Sequence, residues 1–212
     1  MAPKTELQAT ALQAATTDRG GVTRRHILEV AAIAFAERGY VGASLNDIIR
    51  ESGLTKGAFY FHFPSKEALA LAVFRTKQEQ WVGKTLAGTM HHPRAIDRLE
   101  AMLEIGCEMY ENDASARVVG RMCTELAQQP GLAPQMRPHL IAWFDIVEDT
   151  IRAAQHEGDV RTDLDTRATA ETIVAAFIGV EQVSDALTGL GDFRARIAGL
   201  RNLTFQALRP GE

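Results

Sequence analysis

Cysteine is nearly absent: the 212 residues hold two, Cys107 and Cys123, without Cys-x-x-Cys spacing. Both sit in apolar helical patterns and read as reduced core thiols, which excludes a disulfide scaffold and a thiolate zinc site. The six histidines form no ligand cluster. His91 and His92 are adjacent beside Pro93, where neighbouring side chains diverge and the chain reads as a loop, and no His-Glu-x-x-His occurs. Uninterrupted apolar runs are also missing. No stretch approaches the ~18 residues of a membrane-spanning helix, and the N-terminus MAPKTELQATALQAATTDRG lacks the apolar centre of a secretory signal. There is no Gly-x-Ser-x-Gly and no glycine-rich phosphate loop, so the common enzyme signatures are lacking. Acidic residues such as Asp145, Glu148 and Asp149 fall at the spacing of a solvated helix face. A cytoplasmic protein that is no enzyme, needs no cofactor or metal and does not enter a membrane is the expectation.

What remains is an ordinary globular balance, 46% hydrophobic and 24% charged, with a net charge of −4. The charge is uneven. Residues 19–80 carry nine Lys/Arg against six Asp/Glu, and residues 81–212 carry 13 against 19. An acidic chain with one basic end can present that end to a polyanion.

Helical periodicity runs almost throughout, with no convincing strand alternation. The first helix is expected over 23–37, capped by Thr23 and stopped near Gly39, burying Ile27, Val30, Ala31, Ala34 and Phe35. Ser44-Leu-Asn-Asp47 resembles a capping box, with Asp for the preferred Glu, and opens a second helix over 45–51. Thr55 caps a third helix of about two turns. Pro64-Ser65 starts a long fourth helix running through Trp81, followed by a loop over 88–93. Further helices are expected at 94–111, 115–128, 134–156, 164–188 and 192–208, separated by Pro130-Gly131, Gly158-Asp159 and Gly189-Leu-Gly191. The expected division is a flexible arm over 1–20, a DNA-binding unit over 21–66, and a ligand-binding and dimerisation unit over 67–212. The fourth helix would link the two units rigidly.

Three short helices, the second and third joined by a glycine-containing turn, describe a helix-turn-helix. Its last member must enter a major groove and present short or flat side chains. Residues 55–62 suit this. Thr55 offers a hydroxyl, Lys56 a cation, Gly57 and Ala58 a thin backbone, Tyr60 a phenol and His62 a donor near the helix end. Phe59 and Phe63 belong to the core beneath. A glycine inside so short a helix costs ~1 kcal/mol relative to alanine, which favours a role in close approach over a plain packed hairpin.

From Thr23 to Phe74, and above all in Gly53-Leu-Thr-Lys-Gly-Ala-Phe-Tyr-Phe-His-Phe-Pro-Ser-Lys-Glu67, the sequence closely resembles the N-terminal domain of TetR-family regulators. The resemblance implies an all-α, nine-helix homodimer whose first three helices bind palindromic, double-stranded operator DNA. It places DNA contacts at Ser44, Thr55, Lys56, Gly57, Ala58, Tyr60 and His62, with Lys66 beside a phosphate. Within the family, Lys56-Gly-Ala-Phe-Tyr-Phe-His-Phe63 looks like the version in γ-butyrolactone autoregulator receptors, with Phe59 in place of their commoner Leu. Trp143 after Pro138 and the run Phe177-Ile-Gly-Val-Glu-Gln-Val-Ser184 are also similar to those receptors. This resemblance implies a repressor released by a small apolar effector, with Trp143 lining the cavity and Val118, Met122 and Phe177 beside it. A tryptophan at helical spacing is otherwise plain core. The alternatives are a regulator of efflux or lipid metabolism answering to a drug or fatty-acyl ligand, and a helical interaction or lipid-carrier protein that ignores DNA. Apolar residues on several faces of 168–187 fit a helix packed both inward and against a second subunit.

Overall fold

The structure is a computed structural model that describes residues 4–211, with side chains from residue 20 onward; the side chains of the arm expected over 1–20 therefore lie, but for Gly20, outside the described residues. Among the described residues there are nine α-helices and no strand: α1 (Lys4–Gly42), α2 (Leu45–Glu51), α3 (Lys56–His62), α4 (Lys66–Thr89), α5 (Ala95–Asn112), α6 (Val118–Ala127), α7 (Ala133–His156), α8 (Thr166–Thr188) and α9 (Phe193–Leu208). A 3-10 turn, Ala114–Arg117, leads into α6.

Two of the expected caps form. Thr55 accepts from the Ala58 N–H at 3.3 Å and Ser65 from the Ala68 N–H at 3.1 Å, each satisfying an orphan donor of the helix it opens. Two others do not. Thr23 is already inside α1, because Gly20-Gly21 continues the helix rather than breaking it. Ser44 stands at the start of α2 with extended backbone but makes no side-chain cap bond. Asp47, one methylene shorter than the Glu of a capping box, pairs instead with Arg50 at 2.6 Å. The break near Gly39 is present within α1, where Gly39 adopts φ +70°. The fourth helix also runs two residues into the expected loop, ending at Thr89.

Apolar burial gathers in two clusters. The first joins α1, α2 and α3 to the start of α4 and to α6, with Ile27, Phe35, Ile48, Phe59, Phe74, Met122 and Leu126 at its centre. The second joins the end of α4 to α5, α7, α8 and α9 around Trp81, Leu99, Tyr110, Ile151 and Phe193. The first core is thus not confined to residues 21–66: Leu69 to Phe74 and much of α6 belong to it. Helix α4 serves both cores, and buried polar residues mark the crossing. Lys77 reaches Glu29 of α1 at 2.5 Å, and the Gln78 amide donates to the His139 carbonyl of α7 at 2.6 Å. Buried polar groups need such partners, so these bonds fix the register of α4 against both neighbours.

Candidate DNA-reading face and ligand cavity

The aromatic segment of α3 splits by helical phase. Phe59 and Phe63 are buried in the first core, with ring centroids 6.4 Å apart. Thr55, Lys56, Gly57, Ala58 and Tyr60 are exposed, and His62 is half-buried at the helix end. Lys56 is exposed and makes no ion pair among the described residues. Ser44 is exposed at the start of α2, and its hydroxyl has no hydrogen bond among the described residues. Lys66 stands differently. Its Nζ lies 4.6 Å from the centre of the Tyr40 ring and donates to the Val41 carbonyl at 3.4 Å, and burial lowers its pKa. Six of the eight expected DNA residues are thus exposed and His62 is half-buried, while Lys66 is tethered to the α1–α2 junction.

One residue on that face escapes sequence reasoning. Phe61 is 83% exposed, beside His62 at a ring distance of 5.2 Å. An aromatic in a run of five, Phe59 to Phe63, reads as core unless the helical phase is known. Water gains nothing from a bare phenyl ring, whereas a thymine methyl or a deoxyribose offers it apolar contact.

Charge-assisted bonds anchor α2 to α1, and α1 to α6 and α4. Arg38 of α1 makes a bidentate pair with Glu51 of α2, at 2.7 and 2.8 Å. From the other side, Arg121 of α6 donates to the Ala36 and Glu37 carbonyls at 2.9 and 3.0 Å, at the C-terminal end of the regular part of α1. Tyr40 donates to Glu67 of α4 at 3.2 Å.

The second core encloses a cavity between α4, α5, α6, α7 and α8. Trp81, Tyr110, Trp143 and Phe177 supply its rings, Leu99, Met102, Val147 and Ile173 its aliphatic walls, and Gln78 a polar edge. Trp81 meets Tyr110 edge-on at 5.4 Å and Phe177 at 6.0 Å, the offset geometry that ring quadrupoles prefer. The free space is about 80 Å³, room for several waters, so a larger guest must displace side chains of the wall. Two of the four expected ligand residues, Trp143 and Phe177, line it. Val118 and Met122 do not: both are fully buried in the first core, turned toward α1. Their neighbours Val119 and Cys123 face the cavity instead, one helical position on. The expected face of α6 was therefore out by about 100° of helical rotation.

The cavity walls are apolar, and two orphan oxygens lie at or behind them: one on the lining residue Gln78, the other on Glu181, which stands behind Tyr110 and Gly120. Gln78 Oε1 and Glu181 Oε2 are buried without a hydrogen-bond partner. Burial pushes the Glu181 carboxyl up to about 7, with Asp185 adding to the rise while Arg121 and Arg117 oppose it. Burial likewise raises the Tyr110 phenol well above its usual range and the Cys123 thiol to about 12, and Cys107 to about 11, so neither thiol is nucleophilic. Trp81, Tyr110 and Glu181 were not singled out from the sequence. Glu181 left a signal there, since it falls one turn after Phe177 on an otherwise apolar stripe.

Comparison with known proteins agrees with this geometry. The family model described as bacterial regulatory proteins, tetR family, matches residues 27–73, and that of the tetracyclin repressor-like C-terminal domain matches residues 96–210. The A-factor receptor protein of Streptomyces griseus is 30% identical over 194 residues, covering 89% of this chain; the chain spans 65% of that receptor's length. A solved structure described as the molecular basis for control of antibiotic production by a bacterial hormone aligns with TM-score 0.75 and 34% identity, over 89% of this chain and 98% of the other. An ArpA-like γ-butyrolactone receptor aligns with TM-score 0.64 and 26% identity, over 89% and 98% of the two chains.

Proposed function

The chain belongs to the TetR family of bacterial regulatory proteins, and from that premise we propose that it is a homodimeric repressor released from a palindromic operator by a small apolar effector of the γ-butyrolactone type. The observation that carries this reading is the double membership of α4. Trp81 of α4 forms a wall of the cavity, and Leu69 to Phe74 of the same helix pack under the helix-turn-helix.

The mechanism follows from that helix. An effector too large for the free space pushes on Trp81, Trp143 or Phe177. Close-packed interiors do not deform continuously, so α4 moves as a body about the Lys77–Glu29 and Gln78–His139 contacts. Helix α3 moves with it. In a dimer, two copies of α3 must sit about one DNA turn apart, ~34–36 Å, to read both half-sites. Changing that separation weakens both contacts together.

A dimer surface is available on α8 and α9, where Leu187 and Leu203 are 69% and 70% exposed and Val183 stands close by on α8. Exposed apolar residues of this size on two packed helices favour burial against a partner. The similarity to an A-factor receptor and to an ArpA-like γ-butyrolactone receptor supports the effector class. No helix among the described residues is long and apolar enough to cross a membrane.

The test is a fluorescence-anisotropy titration of operator DNA from the protein's own upstream region, with and without a γ-butyrolactone. Typical allosteric coupling of ~1–3 kcal/mol corresponds to a five- to 150-fold weakening. An operator Kd that the lactone leaves unchanged refutes effector release, and a failure to bind duplex DNA refutes the regulator reading altogether.

A further inference from the structure

Resting on the effector-released reading above, we infer that Glu181 of α8, standing behind Tyr110 and Gly120, is the polar end of the cavity and hydrogen-bonds a carbonyl oxygen of the effector. The observation is a buried carboxyl oxygen without a partner. Glu181 is 4% exposed and its Oε2 has no partner. An unpaired buried polar atom costs roughly 1–3 kcal/mol, so it persists where something else answers it.

The surroundings point that carboxyl toward a ligand. Phe177 and Ile178, one turn earlier on α8, are cavity walls, as are Tyr110, Gly120 and Cys123. Gly120 makes the approach possible. A Cβ there would collide with the Tyr110 hydroxyl and come within 3.0 Å of Glu181 Oε2. With no side chain at 120, the Tyr110 hydroxyl on the cavity wall and the Glu181 carboxyl behind that wall both approach α6, so a guest that displaces Tyr110 meets the carboxyl.

The charged groups around Glu181 do not satisfy it. Arg121 of α6 is committed to the Ala36 and Glu37 carbonyls and to Glu125. Arg117, at the end of the 3-10 turn, donates its Nε to the Tyr110 carbonyl at 3.0 Å. Both act on Glu181 only through space, and Asp185 on its own helix repels its charge. Tyr110 of α5 and Cys123 of α6 face it as neutral groups, the Tyr110 hydroxyl being engaged by the Gly120 backbone. Burial therefore favours the protonated carboxyl near neutrality, and its O–H needs an acceptor. A lactone or ketone carbonyl on an apolar body supplies one, and a hydrocarbon or plain ether supplies little.

The experiment measures quenching of Trp81 and Trp143 fluorescence in the full chain with two matched probes, γ-decalactone and 2-hexyltetrahydrofuran, which lacks the carbonyl. At about pH 6 the lactone should bind roughly tenfold tighter than the ether, the size of one net hydrogen bond, and the preference should shrink at about pH 8 as the carboxyl ionises. Glu181→Gln, whose amide N–H still donates, should keep the preference at both pH values. Glu181→Leu should bind both probes alike. Equal binding of the two probes by the unsubstituted protein, binding of neither, or a pH-dependent preference that survives in Glu181→Gln overturns the assignment. Operator binding measured without any probe tests the regulator reading separately, so the two fail independently.

Discussion

The carboxylate of Glu125, on α6, occupies the space that a side chain at Gly39 would need. Its Oε2 accepts from the backbone N–H groups of Tyr40 and Val41 at 2.5 and 3.2 Å, and a Cβ at Gly39 would lie 2.9 Å from its Cδ. Gly39 has φ +70°, a conformation that glycine adopts freely and other L-residues resist. The turn that ends the regular part of α1 is thus closed by a helix that also lines the cavity.

Gly39→Ala should therefore destabilise the protein by ~2–4 kcal/mol, combining backbone strain with overlap. Glu125→Ala should cost ~1 kcal/mol by removing the acceptor of the part-buried Tyr40 N–H, water replacing it at the exposed Val41 N–H. The double variant should recover part of the sum, because removing Glu125 opens the space. A urea-denaturation double-mutant cycle with coupling below ~0.5 kcal/mol would show that the two do not interact.

The two phenylalanines of α3 should separate folding from reading. Phe59 is fully buried, so Phe59→Ala should cost ~3–5 kcal/mol of stability. Phe61→Ala should leave the melting temperature within about 2 °C and still weaken operator binding, since surface substitutions usually stay within ~0.5 kcal/mol. A normal operator Kd for Phe61→Ala would remove Phe61 from the reading face. Lys56→Ala should weaken binding and lower the slope of log K against log salt by about one; an unchanged slope would mean that Lys56 meets no phosphate.

Much of this was legible in the sequence. The Thr55 and Ser65 caps, the break at Gly39 and the inward turn of Phe59 and Phe63 follow from local chemistry and a 3.6-residue period. Val118 and Met122 were misplaced because α6 is apolar on two faces, one toward α1 and one toward the cavity, so periodicity alone cannot choose between them. The reciprocal bond of a capping box is missing at α2 because the Asp47 carboxylate pairs with Arg50, and Ser44 makes no side-chain cap bond. The meeting of Glu181 with Gly120 and Tyr110 joins three helices, and no local pattern encodes a contact across such distances along the chain.

Cavity size should be tunable from α5. A Cβ at Gly106 would lie 2.9 Å from Phe177 Cζ and 3.2 Å from Trp81 Cζ2, so Gly106→Ala must push both rings into the free space. Overpacking of this kind costs ~1–3 kcal/mol. The variant should bind operator normally and lose at least about tenfold in lactone affinity, a loss of ~1.4 kcal/mol. Undiminished lactone affinity in a fluorescence titration would place the effector elsewhere.

The Glu181 carboxyl gives stability a pH dependence of unusual sign for an acid. Its folded pKa is raised to about 7 from the ordinary 4.5, so below about 4.5 it is neutral in both folded and unfolded chains and costs nothing. Between about 4.5 and 7 the unfolded chain releases this proton while the folded chain keeps it, and stability falls as pH rises. Above about 7 the loss is complete, on the order of 2–3 kcal/mol. Glu181→Gln cannot ionise, so the difference in unfolding free energy between variant and parent should move in favour of the variant between about pH 5 and about pH 8 by that amount. Paired urea titrations across this range measure it. Parallel curves would mean that the carboxyl ionises in the folded protein as easily as in water, and that the chamber around it is wetter than its apolar walls imply.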